Sequence, residues 1–338
     1  MKVLKYTLLF LLALIVLVLI YSAFQPSEYN VARTKIINQP ISKIFNTVND
    51  LKTWEEWGPW HDEDSTIVVT YGDKTVGVGA SDSWTSKDGP GAMKTVAVEM
   101  NKSILQEITF GDYEPSEIFW EFEDTAEGTK VTWNMRDDNA PFSFKIFAAI
   151  SGGWDGMLGP MLANGLDNLD NLVKNIPNKY TLSKVSVVDT EAKVFVGYPY
   201  KMKIEQEAMM KAFTESLPKA GMHAANSGLV EGDFVPAALY HKWDEKTGET
   251  EFHIGIFLNK EMPLAEGMEK VEIKGGKYAK ISKLGNYGDG DYEAHTAIAK
   301  YLEAANMKSQ FPLYELYVND PAKVKPEEIQ TDIFYPVE

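Results

Sequence analysis

Phe311-Pro312-Leu313-Tyr314-Glu315-Leu316-Tyr317-Val318 reads as a strand of large apolar side chains with one carboxylate at its centre. A lone carboxylate is costly to bury, so it needs a raised pKa or a partner. Strand alternation turning Glu315 to solvent, or a Lys or Arg pairing with it, are the plainer outcomes. Spacing alone leaves these alternatives open.

Working outward from this strand, residues 178–338 show a faint internal repeat. In the first copy a strand at Lys193 to Tyr200 precedes a helix at Glu205 to Leu217, with Ala208, Met209, Ala212, Phe213 and Leu217 on one face. Strands at Pro236 to Trp243 and Glu251 to Leu258 follow, separated by a turn at Asp244 to Gly248. The second copy has a strand at Gly276 to Leu284 and a helix at Tyr292 to Ala305 carrying His295, Ile298, Ala299 and Leu302 inward. It closes with Leu313 to Val318 and Thr331 to Val337. The repeat predicts two related halves with a cleft between them. Asp289 and Asp291 look like part of a calcium loop but lack the other ligands, so this stretch is expected to be a turn with Asp291 capping the helix.

Before this region lies a differently patterned one, residues 28–177, with the boundary near Pro177, since Lys179 to Asp189 has few large apolar residues. A strand at Val31 to Ile37 and a short helix from Pro40 through Ile41, Ile44, Phe45 and Val48 lead into six strand-like runs. These are Ser65 to Tyr71, Gly79 to Thr85, Lys94 to Met100, Ile104 to Phe110, Ser116 to Glu123 and Lys130 to Arg136. Between Met157 and Val173, Leu158, Met161, Leu162, Leu166, Leu169, Leu172 and Val173 form one helical stripe, with Asp155, Asp167 and Asp170 expected in solvent. Trp54, Trp57 and Trp60 read as core that closes the sheet; an aromatic box for a ligand is the other reading. His61 beside them has no second histidine nearby, so no metal site is expected.

Residues 1–27 form a third segment. Thr7 to Phe24 is uncharged and apolar, about 18 residues that span roughly 27 Å as a helix, near the thickness of a bilayer's hydrocarbon core. The end of the run, Tyr21-Ser22-Ala23-Phe24-Gln25-Pro26, fits a signal-peptide cleavage site poorly, so an uncleaved anchor is expected, with the lipid bilayer as partner through residues 7–24. Lys2 and Lys5 precede the span, and only the mixed charges Glu28, Arg33 and Lys35 follow it, which predicts a single-pass protein with extracytoplasmic soluble domains.

The 338 residues are 44% hydrophobic and 24% charged, a globular composition long enough for two soluble domains. With 49 acidic against 33 basic residues the formal charge is −16, which argues against nucleic acid as a partner. No cysteine is present, which excludes disulfides, thiolate metal sites and a cysteine nucleophile. The fold class is therefore α+β: a transmembrane helix, an antiparallel sheet gripping a helix, and a duplicated strand-helix-strand-strand domain.

Two family resemblances sharpen this outline. Asn38-Gln39-Pro40-Ile41, Trp54-Glu55-Glu56-Trp57-Gly58-Pro59-Trp60, Val78-Gly79-Ala80-Ser81-Asp82-Ser83-Trp84 and Gly128-Thr129-Lys130-Val131-Thr132-Trp133 resemble the START-like or polyketide-cyclase-like (SRPBCC) superfamily. That resemblance implies a helix-grip fold and leaves function open, because the scaffold hosts many activities. Gly276-Lys277-Tyr278-Ala279, Gly285-Asn286-Tyr287, Tyr314-Glu315-Leu316-Tyr317-Val318-Asn319-Asp320-Pro321 and Thr331-Asp332-Ile333-Phe334-Tyr335-Pro336-Val337 resemble the GyrI-like family, also seen as the effector-binding domain of AraC-type regulators. This second resemblance implies binding of amphipathic, often cationic aromatic compounds at a central glutamate, matched here by Glu315. Tyr278, Tyr287 and Tyr317 are the expected aromatic neighbours. No helix-turn-helix precedes this domain, so the resemblance carries ligand sensing without a DNA-reading module.

The expected function is a membrane-anchored binding protein for hydrophobic or amphipathic small molecules, with no cofactor and no metal. The alternative, implied by hydrolytic relatives of the same family, is a hydrolase with Glu315 as general base and Tyr278 or Tyr287 as hydroxyl donor.

Overall fold

The computed structural model describes residues 2–62, 64–244 and 246–338, the side chains of His61, Asp62 and Gln206 excepted. The chain divides into two compact units, Met1–Pro177 and Asn178–Glu338.

The first unit begins with helix α1 (Lys2–Ala23), whose sequence is apolar beyond its first turn, and continues into strand β1 (Tyr29–Ile37). Two short helices, α2 (Ile41–Asn49) and α3 (Trp54–Trp57), lead to a meander of β2 (Val68–Tyr71), β3 (Ser81–Thr85), β4 (Gly91–Glu99), β5 (Ser103–Phe110), β6 (Ser116–Thr125) and β7 (Gly128–Asp137). Helices α4 (Phe142–Ile150) and α5 (Trp154–Asn175) complete it. The seven strands form one antiparallel sheet in the order β1-β7-β6-β5-β4-β3-β2, with β1 returning beside β7. The sheet buries alternate residues, such as Ile104, Gln106 and Ile108 of β5, as a one-sided sheet must.

Helix α5 packs on β1 through Leu158, Leu162, Leu166, Leu169 and Val173, a stripe at helical spacing. The predicted inward set thus holds in the main, but one of its solvent-facing acids does not. Asp170 is buried at 6% exposure, because Lys35 from β1 and Lys174 one turn on reach its carboxylate at 3.3 and 2.9 Å. Asp155 and Asp167 are exposed as expected and pair with Arg33 and Lys35 at 2.8 and 2.6 Å. Helix α4 was not legible as an element in the sequence.

Trp54 and Trp57 are buried, and with Trp60, Trp120 and Trp133 they fill the space between sheet and helices. Trp120 and Trp133 stack at 4.5 Å, and Trp54 and Trp57 meet Trp133 edge-on at 6.0 and 5.7 Å. Gly165 of α5 permits this packing: a Cβ there would sit 2.3 Å from the Trp133 ring. The tryptophans are core.

The second unit opens with two short strands, β8 (Tyr180–Leu182) and β9 (Ser186–Thr190), in the stretch that looked merely transitional. Strand β10 (Lys193–Lys203), helix α6 (Gln206–Asn226), and strands β11 (Phe234–Asp244) and β12 (Glu249–Leu258) form the first half. After β13 (Glu269–Ile273), the second half repeats the plan with β14 (Gly276–Gly285), α7 (Asp291–Ala304), β15 (Leu313–Tyr317) and β16 (Gln330–Pro336). Helix α6 runs well past the expected end at Leu217 and through Pro218. The missing N–H costs one bond, but Ala220 and Ala224 continue the buried face against Val196 and Ile256.

The sheet order is β13-β10-β12-β11-β15-β16-β14-β8, with β9 also on β14. The halves β10-β12-β11 and β15-β16-β14 therefore mirror each other and meet at β11 and β15, where Ala238 pairs with Glu315. They join edge to edge as one sheet, so the predicted gap between them is instead a hydrogen-bonded strand pair. Helix α6 packs on this sheet through Ala212, Phe213 and Leu217 against Ala238, Phe252 and Tyr317. Helix α7 packs through Ala294, Ile298 and Leu302 against Ala279, Ile281 and Ile333. Ala299, expected to point inward, is exposed, because the inward arc is centred on Ala294 and Ile298.

Candidate functional site

Glu315 occupies the middle of β15, next to the junction of the two halves, and is 7% exposed. Alternation along β15 sends Leu313, Glu315 and Tyr317 to the sheet face that carries α6 and α7, and Tyr314 to the opposite face. Neither plain outcome for Glu315 holds: it is not in solvent, and neither of its two hydrogen-bonded oxygens is held by a Lys or Arg. His295 Nε2 lies 3.0 Å from Oε1, and the Tyr317 hydroxyl donates to Oε2 at 3.0 Å. On the far side of the imidazole, His295 Nδ1 is 3.0 Å from the Tyr335 hydroxyl. The result is a chain of polar groups, Tyr335–His295–Glu315–Tyr317, set into an apolar surface.

Rings surround the chain. Tyr287 meets Tyr317 edge-on at 5.2 Å and Phe213 of α6 does so from another side at 6.2 Å. Tyr240 lies in the same buried cluster as Tyr317. Burial and then the negative charge of Glu315 push the Tyr240 and Tyr317 hydroxyls well above the usual tyrosine range. Burial opposes a charge on His295, but the hydrogen bond and charge of Glu315, reinforced by Asp291, hold its pKa above the usual 6.5. Glu315 thus favours the protonated form of His295 and holds the imidazole in place.

Of the residues singled out in the sequence, Glu315, Tyr317 and Tyr287 come together. Tyr278 does not. It lies on the opposite face of the sheet against Tyr314 and Phe334, at 5.4 and 6.4 Å, and its hydroxyl donates to the Lys274 carbonyl. Along β14, Ala279, Ile281 and Lys283 are the residues on the α7 side, and Tyr278 falls in the other register. His295, read only as an inward position of its helix, is the principal partner that the sequence did not pair with Glu315.

Lys283 supports the site from below. It is wholly buried, and its ammonium bonds the carbonyls of Asn286 and Asp289 at 2.8 and 3.0 Å and the Asp291 carboxylate at 2.6 Å. The calcium-like fragment thus wraps a lysine. Gly288 and Gly290 have φ of +88° and +76°, a region that favours glycine, and let the loop close this tightly. Gly290 takes the cap position, whereas Asp291, expected to cap the helix, is its first residue and accepts from the Gly288 N–H at 3.0 Å. Burial pushes the Asp291 carboxyl up against the pull of Lys283. Since Asp291 and His295 are four residues apart on one helix face, the lysine fixes the turn that presents the imidazole. Among the described residues no group of three or more His, Asp or Glu side chains is placed to hold a metal. The His61 side chain lies outside the described residues.

Residues 29–174 match the family described as polyketide cyclase / dehydrase and lipid transport, and residues 184–338 match the GyrI-like small molecule binding domain. The chain joins a polyketide-cyclase-like domain to a GyrI-like domain. Its similar solved structures include an integron cassette protein from the mobile metagenome of Vibrio cholerae, at 16% identity over 47% of this chain and 99% of that one, with a TM-score of 0.36. A Rhizobium leguminosarum protein has 17% identity over 44% and 96%, with a TM-score of 0.33. The C-terminal domain of EcmrR has 17% identity over 46% and 97%, with a TM-score of 0.38. Likenesses of this size carry no functional argument. No curated protein matches the chain. In the GyrI-like domain, the candidate site is the Glu315 network; in the polyketide-cyclase-like domain, the space under the sheet is filled by indoles.

Proposed function

We propose that the protein is a membrane-anchored binder of hydrophobic or amphipathic small molecules, above all cationic aromatic ones, and that Glu315 of the GyrI-like domain receives the ligand's charge. The observation that carries this reading is the nature of Glu315's present partner. The partner of the buried carboxylate is an imidazole, which carries a charge when protonated and is discharged by losing one proton, rather than a fixed Lys or Arg. An incoming organic cation takes over the charge of His295, and the faces of Tyr317, Tyr287 and Phe213 supply cation–π attraction. The hydrolase alternative needs a hydroxyl donor beside Glu315, whereas Tyr278, one of the two expected, lies on the opposite face of the sheet and donates to the Lys274 carbonyl. Binding is the better-supported reading.

The anchor is helix α1, among the described residues the one helix long and apolar enough to cross a membrane. Its 22 residues extend about 33 Å, enough for a bilayer's hydrocarbon core. With Lys2 and Lys5 on the near side, both soluble domains are extracytoplasmic in this reading.

Thermal unfolding with and without tetraphenylphosphonium tests the binding site. At a hundredfold excess over Kd a ligand adds about 2.7 kcal/mol, an increase of roughly 5–10 °C in Tm for a domain of this size. Glu315→Gln is expected to abolish that increase and Tyr317→Phe to reduce it. An equal gain in wild type and Glu315→Gln refutes the assignment.

A further inference from the structure

Helix α4 has an outer face, with Ile146 half-buried in it, whose Phe142, Phe147 and Ile150 the described residues of its own unit leave exposed. In Phe142-Ser143-Phe144-Lys145-Ile146-Phe147-Ala148-Ala149-Ile150 the only charge is Lys145. Phe142, Phe147 and Ile150 are 48, 56 and 63% exposed, whereas Ala148 is buried and Phe144 packs on Phe110 and Tyr113 at 5.7 and 5.5 Å. On a helical wheel Phe142, Ile146, Ile150 and Phe147 fall within an arc of about 140° that contains one polar residue, Ser143. The Ser143 hydroxyl donates to the Tyr113 hydroxyl at 3.0 Å. Tyr113, itself 46% exposed, extends the patch. A helix facing water normally carries its polar residues outward, and this one carries them elsewhere.

The neighbour of α4 identifies what covers it. Helix α1 packs against α4. Ser22 is fully buried and Val18 half-buried, while the rest of α1 is exposed. Lys145 Nζ lies 3.5 Å from the Ala23 carbonyl and 3.4 Å from Ser27 Oγ. The chain leaving α1 is fastened to the same corner: the Trp154 indole N–H donates to the Pro26 carbonyl at 2.9 Å, and the Trp154 ring stacks on Tyr29 at 4.5 Å. The shielded positions, Val18 and Ser22, are one turn apart, about 6 Å of helix at its C-terminal end. With α1 spanning a bilayer, α4 therefore lies at the depth where interfacial helices bury their apolar faces, about 5–10 Å into the headgroup and acyl boundary.

We propose that α4 and Tyr113 form a membrane seat: the arc of Phe142, Ile146, Phe147 and Ile150 inserts into the bilayer interface beside α1 and holds the polyketide-cyclase-like domain on the membrane surface. The proposal rests on the reading of α1 as the anchor. Lys145 lies on the flank of the arc toward α1, where its ammonium reaches the end of the span and its stem covers apolar surface.

The absence of cysteine makes single-cysteine probes clean. The full chain is reconstituted in phosphatidylcholine and phosphatidylglycerol vesicles with a fluorophore at Phe147→Cys, Ile150→Cys, Leu14→Cys or Met100→Cys, and lipid-borne nitroxide is used as quencher. Met100, in the turn at the other end of β5 from Phe110, is the aqueous reference. The expected result is strong quenching at Leu14, and quenching at Phe147 and Ile150 several-fold above that at Met100. Quenching at Leu14 with Phe147 and Ile150 no different from Met100 overturns the seat and leaves the anchor standing. No quenching at Leu14 overturns the anchor and the seat together.

Discussion

Lys283→Met destabilises the GyrI-like domain by about 1–3 kcal/mol for each hydrogen-bonding group left without its donor, since Lys283 is wholly buried while its partner Asp291 is half-exposed. Methionine keeps most of the stem volume, so the loss is not one of packing. What disappears is the ammonium that satisfies the Asn286 and Asp289 carbonyls and the Asp291 carboxylate at once. Burial already raises the pKa of Asp291, so its ionised form disfavours the fold, and Lys283 offsets part of that penalty. Without the lysine the penalty grows at neutral pH and fades as the pH falls and Asp291 takes up a proton. Calorimetric unfolding at several pH values checks both the size and the direction: the deficit of Lys283→Met should shrink toward acid. A deficit below about 1 kcal/mol at neutral pH would place this pair with ordinary surface salt bridges.

A comparable loss is expected in the other domain. Trp133→Ala removes the indole against which Trp120, Trp57 and Trp54 all pack, and large-to-small changes of this kind cost about 3–5 kcal/mol because the cavity only partly collapses. Trp133→Phe retains most of the ring contact and should cost less. Intrinsic fluorescence isolates this transition, since the tryptophans at 54, 57, 60, 84, 120, 133 and 154 belong to the first unit and Trp243 alone to the second. Denaturant titration should show the midpoint falling in Trp133→Ala. An unchanged midpoint would mean that the indoles line loose space rather than fill it.

Alternation and helical spacing made most of the architecture readable. The stripe from Leu158 to Val173 and the repeated strand-helix-strand-strand order come directly from periods of 3.6 and 2.0. Helix α4 escaped because the run from Phe142 to Ile150 is apolar on nearly every side and so lacks a clear polar face. Asp170 was misplaced because Lys35 becomes visible as its partner only when β1 lies under α5, although Lys174, four residues on in the same helix, was a local signal. The site divides along the same line. Glu315 stands out in its own strand, but its bond to His295 joins β15 to α7 across 20 residues, a tertiary fact. Tyr278 shows the converse error: its residue type suited the site, but strand register put it on the wrong face. Lys283 had a local signal that went unused, since alternation from Ala279 and Ile281 places a lysine on the helix-facing side.

The exchange of charge at Glu315 is tested most directly by counting protons. The folded pKa of His295 lies above its unfolded value, so the Glu315 pair stabilises the fold fully below about pH 6.5 and loses that contribution as the pH rises through the folded pKa. A bound cation pulls that pKa down, so its affinity should rise with pH over the same window while a proton leaves. Titration calorimetry of the full chain with tetraphenylphosphonium, in two buffers of different ionisation enthalpy near neutral pH, should show net proton release that vanishes in His295→Asn. Binding with the same heat in both buffers, and with an affinity independent of pH, would contradict the exchange of His295 for the ligand at Glu315.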